Sequence, residues 1–173
     1  GCFIRADKIY LEKLKKILAE CSHPDRLMFR IGLEFPSKRM LSFVNKGIDL
    51  ETFTELTHLI CSSGASCRAS MILGWNNLQE NDLKETEKIV PQIHENVGMT
   101  IRQLIIVPNS KMDFMTQWSA SETMRLGPFT MGKILALDRD QLSLNNIAHK
   151  LVFSRGFQTI TSSWDIPVWG EKR

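Results

Sequence analysis

Cys61 and Cys67 stand six residues apart around Gly64, and with Cys21 and His23 they offer four side chains able to hold a soft metal ion. Structural zinc sites present paired ligands two to four residues apart, so the Cys61 to Cys67 spacing is too wide for that signature. The competing reading places Cys21 and Cys61 on apolar helix faces as small hydrophobes, with Gly64 as the turn between two elements. That reading is the one expected here, and with it no metal. The four cysteines allow three disulfide pairings, but a 173-residue chain buries a core large enough to need none. Free thiols in an intracellular, reducing compartment are expected.

Metal-dependent nucleases cluster carboxylates with a lysine that steadies developing charge, and "HPDR" followed by Glu34 and Lys38 carries those residue types. Glu34 and Lys38 flank a proline turn and nothing else converges on them, so a solvated turn is expected. Asp138 and Asp140 in "LDRDQ" are explained by a turn and a helix cap. There is no G-x-S-x-G, no phosphate-cradling G-x-x-x-x-G-K-[ST] and no G-x-G-x-x-G. His23, His58, His94 and His149 fall one per element. No catalytic residue and no cofactor is expected, and the chain reads as a non-enzyme.

A formal charge of +3 is mild, so a polyanion must be met by a local patch. Arg26, Arg30, Lys38 and Arg39 supply one, suited to phosphates, to anionic lipid headgroups or to an acidic protein surface. In "MDFMTQW", Phe114, Met115 and Trp118 share one helical side and form the candidate apolar contact for a partner.

Those residues need positions. Asp7 caps a helix with apolar residues at 10, 11, 14, 17, 18 and 21. Residues 26–35 alternate, with Leu27, Phe29, Ile31, Leu33 and Phe35 on one face, which predicts a half-buried strand. Residues 38–44 read as the returning strand of a hairpin, placing Arg26, Arg30 and Lys38 on its outer face. A helix follows Asp49 and stops at Gly64, residues 68–75 form a strand, and Asp82 with Glu85 opens another helix that Pro91 interrupts. "MTIRQLIIV" reads as a strand in the middle of a sheet. Helix starts are expected at Ser110 and Ser119, a strand over 130–137, a helix capped near Asp138 and a last strand over 158–163. The expected architecture is α+β, a mixed or antiparallel sheet of five to six strands with helices mainly on one face. It is read as a single globular domain, 1–173, from a longer protein lacking an N-terminal arm. No apolar run approaches the roughly 20 residues that span a bilayer.

The succession "LMFRIGLEF", "PSKRM", "LETFTELTHLICSSG", "RASMILGWNN", together with "GPFTMGKILALDRDQLSLNNIAHKLVFSRGF", resembles the globular domain of rhabdovirus matrix proteins in a divergent, plant-virus form. The resemblance covers nearly half the chain. It implies a structural role: self-association into oligomers, condensation of the nucleocapsid, contact with other viral proteins, and a place in the virion at the inner membrane face, with anionic lipid or RNA as ligand. It implies no catalytic residues. A nucleic-acid-binding accessory domain and a divergent metal-dependent nuclease are the alternatives.

Overall fold

The computed structural model describes residues 1–116, 120–125 and 131–154. Strand β1, Cys2–Ile4, leads to helix α1, Lys8–Glu20. Asp7 caps that helix by accepting from the Tyr10 amide at 2.9 Å, and its Leu11, Leu14 and Leu18 are buried. A 3-10 turn, Pro24–Arg26, precedes β2, Met28–Glu34, which is followed by α2, Lys38–Val44, and α3, Leu50–Ser62. Strand β3, Ser66–Leu73, helix α4, Glu80–Ile89, a 3-10 turn, Val90–Gln92, and β4, Gly98–Gln103, complete the main sheet. Then come α5, Lys111–Thr116, the strands β5, Ala120–Arg125, and β6, Met131–Leu135, and finally α6, Arg139–Phe153.

The mixture of helices and sheet agrees with expectation, but the sheet does not. Its four strands lie in chain order β1-β2-β3-β4 and every neighbouring pair is parallel; the only antiparallel sheet among the described residues is the two-stranded β5-β6. Parallel neighbours cannot be joined by a tight hairpin, so helices carry each crossover. Crossovers of one hand between successive strands deliver all their helices to one face. The alternation of burial agrees: Phe29, Ile31, Leu33, Cys67, Ala69, Met71, Leu73, Met99 and Ile101 are buried, whereas Arg30, Arg68 and Arg102 between them are not.

Residues 38–44 are helix α2 rather than a returning strand. Ser37 is its N-cap, Met40 and Leu41 are its buried residues, and Asn45 ends it in the left-handed region at φ 51. Leu41 and Phe43 satisfy a period of two as well as Met40, Leu41 and Val44 satisfy a helix, and the caps decide it. Among the described residues β4 is the last strand of the sheet, ending at Gln103. Beyond it, Ile106 makes only an isolated bridge to Lys133. The helix expected to start at Ser119 is instead the strand β5 from Ala120. The strand expected over 158–163 lies outside the described residues, and β1 had no counterpart in the sequence reading.

Candidate functional site

Side chains alternate across a strand, so the face opposite the helices carries Phe3 from β1, Arg30 and Gly32 from β2, Arg68 and Ser70 from β3, and Thr100 and Arg102 from β4. Register brings them together: Arg30 lies opposite Arg68, and Ser70 opposite Thr100. They line a hollow of about 430 Å³, with Glu34 and Lys46 also contributing to its wall. The Arg30 guanidinium carbon lies 5.5 Å from the centroid of the Phe3 ring, and Phe3 is 79% exposed. Among the described residues, no carboxylate pairs with Arg30, Arg68 or Arg102.

Glu34 is the one acidic residue of this hollow, and its backbone is strained. It has φ 61, and the Phe35 amide donates to the Leu33 carbonyl at 2.7 Å, closing a three-residue turn around it. A left-handed conformation in a side chain of this size costs on the order of 1–3 kcal/mol and persists only where the surroundings impose it. The strand register shifts between Gly32 and Glu34 at the same place. Glu34 is only 9% exposed, with Lys46 Nζ at 3.2 Å from its Oε1. That oxygen lies 2.8 Å from where a Cβ on Gly32 would stand, so the glycine makes room for the carboxylate.

At the carboxyl end of β3 the chain turns through Gly74, at φ 98, where any Cβ would collide with the Gln103 side-chain amide. Residues 74–78 are held from α6. Asn145 Oδ1 accepts from the Gly74 and Trp75 amides at 2.8 and 3.2 Å, while Nδ2 donates to the Trp75 and Gln141 carbonyls, both at 2.8 Å. Gln141 does the same for Leu78, accepting from its amide at 2.9 Å and donating to its carbonyl at 3.1 Å. In this loop Asn77 Oδ1 is buried with no hydrogen-bond partner among the described residues.

Of the basic residues singled out from the sequence, only Arg30 is on this face. Arg26 is exposed in the 3-10 turn before β2. Lys38 starts α2, its amide donating to Glu85 Oε2 at 2.8 Å and its Nζ 3.8 Å from Glu51. Arg39 is committed to Asp82 of α4 through Nε at 3.0 and 3.1 Å and through a terminal nitrogen. The expected hairpin patch of Arg26, Arg30 and Lys38 is therefore not assembled, because α2 turns Lys38 and Arg39 toward α3 and α4. Phe114 and Met115 are exposed on α5; Trp118 lies outside the described residues. Arg68 and Arg102, absent from the basic patch expected from the sequence, occupy the outward positions of "CRASMIL" and "MTIRQ", a signal present in their alternation.

Cys61 and Cys67 are adjacent and free, while Cys21 and His23 do not join them: among the described residues no three His, Cys, Asp or Glu side chains converge as a metal site. No protein-family model matches the chain, and no curated protein matches it.

Proposed function

We propose that the protein is a binding module for a small anionic ligand of nucleotide type, held on the open face of its parallel sheet. The observation that carries this is the strained, nearly buried Glu34 set among Arg30, Arg68 and Arg102, which have no carboxylate partner among the described residues. Guanidinium groups suit the planar recognition of phosphate or carboxylate. A carboxylate accepts from a hydroxyl or amine, Ser70 and Thr100 add hydroxyls, and the exposed Phe3 ring gives a planar group a surface to stack on. In parallel sheets ligands gather toward the carboxyl ends of the strands, and Glu34 stands at that end of β2.

The test is thermal shift and calorimetric titration with AMP, ATP, inorganic phosphate and a short oligouridylate. Arg68→Ala is expected to weaken AMP or ATP binding tenfold or more. Glu34→Gly is expected to weaken it similarly while leaving unfolding stability unchanged or higher by up to about 1 kcal/mol, since glycine accepts φ 61 without strain. Preference for the oligouridylate would move the reading to single-stranded nucleic acid. No binding by any probe, or binding by either variant as tight as that of the wild type, overturns it.

A second reading, the self-associating assembly module implied by the resemblance to matrix proteins, is favoured by one observation. Among the described residues β1 ends the sheet, and Phe3 of that strand with Ile9, Tyr10 and Ile17 of the following helix α1 are all exposed. An unpaired edge beside apolar residues is a template for association. In that role the Arg30 face would meet nucleocapsid, RNA or anionic lipid from the membrane surface; no described helix is long and apolar enough to cross a membrane. Light scattering over a hundredfold range of concentration is expected to show oligomers that Ile9→Asp with Ile17→Asp disperses; a monomer throughout sinks it.

A further inference from the structure

Cys61 closes the last turn of α3 and Cys67 is the second residue of β3, with the turn between them passing through Gly64 at φ 87. The short connection brings the two thiols to the same hollow, close enough for the Cys67 S–H to donate to a Cys61 thiolate. Cys61 is half-buried and Cys67 buried, and both line a hollow of about 340 Å³ with Gly64, Ser66 and Asn96. Cys61 is the more open of the two to a small oxidant entering that hollow, whereas Cys67 is 3% exposed.

We infer that Cys61 and Cys67 are a peroxide-oxidisable thiol pair, closing to a reversible disulfide that ties the end of α3 to the start of β3. The two thiols have distinct roles. The hydrogen bond from Cys67 favours the Cys61 thiolate and holds its pKa below the ordinary value, although burial opposes this. The same hydrogen bond, together with burial, pushes the Cys67 thiol far up. Cys61 is thus the attacking sulfur and Cys67 the resolving one. The Cys61 thiolate attacks hydrogen peroxide; an S–O bond forms, the O–O bond breaks, and the hydroxide that leaves takes a proton to become water. The Cys67 sulfur then attacks the Cys61 sulfenic acid; the S–S bond forms, the S–O bond breaks, and a second water leaves with the proton of Cys67. Two thiols and one peroxide become one disulfide and two waters. The pair stands apart from the ligand face and does not depend on that reading.

The experiment uses the full chain carrying Cys2→Ser and Cys21→Ser, treated with a small excess of hydrogen peroxide. Residues 47–68 hold both remaining cysteines with no internal lysine or arginine, so trypsin releases them together. That peptide is expected to lose two hydrogens in mass, to have no titratable thiol, and to recover both on treatment with dithiothreitol. Cys67→Ala is expected to leave Cys61 as a sulfenic acid that dimedone traps, and Cys61→Ser to abolish peroxide uptake; melting curves confirm that each variant is folded. Two titratable thiols remaining after oxidation, direct passage of Cys61 to sulfinic acid in the unsubstituted pair, or equal peroxide uptake by Cys61→Ser would each overturn the inference.

Discussion

Asp82→Ala is expected to lower the free energy of unfolding by about 3 kcal/mol, read from denaturant or thermal melting. The carboxylate is 1% exposed and takes hydrogen bonds from Ser37 Oγ at 2.5 Å, from the Gln79 amide at 2.8 Å and from Arg39. Alanine would leave the Ser37 hydroxyl buried without this acceptor and would open the capping box of α4. The Arg39 side chain is 37% exposed and recovers some hydration, which keeps the loss at the lower end for a buried pair. Burial pushes the Asp82 pKa up, but Arg39, Ser37 and the Gln79 amide together outweigh it and hold the group below its ordinary value of 3.8. A depressed native pKa contributes stability that is complete above the unfolded value and is lost as pH falls through the native one. Unfolding stability is therefore expected to fall below about pH 4, and Asp82→Asn to flatten that part of the profile. Ser37 and Arg39 follow Glu34 within five residues, which places this lock directly after the Glu34 turn.

Asn145→Ala is expected to cost about 3 kcal/mol and to speed hydrogen exchange at Gly74 and Trp75. The Asn145 side chain is fully buried, and its four hydrogen bonds use its whole donor and acceptor capacity. Alanine leaves the two amides and the Trp75 carbonyl unmet in a buried place, and each unmet group costs on the order of 1 kcal/mol or more. Asn145→Asp keeps the two acceptances but removes both donations and buries a charge, so it is expected to be no better tolerated. Melting temperatures of the two variants within a degree of the wild type would show that α6 does not hold the loop.

Local chemistry made several elements legible. Asp7, Asp49 and Asp138 each cap the helix that follows them, and Gly64 ends α3 with a positive φ, because caps and stops depend on residues within one turn. The alternation around Phe29, Ile31 and Leu33 marked β2 for the same reason. At residues 38–44 the local signals conflicted, and the caps Ser37 and Asn45 prevailed over a plausible period of two. Strand direction was not legible: a strand read as half of a hairpin and one read as part of a parallel crossover show the same alternation.

The site follows that division. Sequence alone determined that Arg30 of β2 points away from the core, since alternation is a property of the backbone pleat. It also determined that Cys61 and Cys67 flank one turn. Only the tertiary structure decided that Arg30, Arg68 and Arg102 share a hollow, that Arg39 is consumed by Asp82, and that Glu34 is folded over Gly32. Those outcomes depend on which strands pair and in what register. Such pairing is set by the packing of distant segments, with Arg39 and Asp82 43 residues apart and Trp75 and Asn145 70 apart. A short window of sequence contains neither partner's position, so no local pattern could carry them.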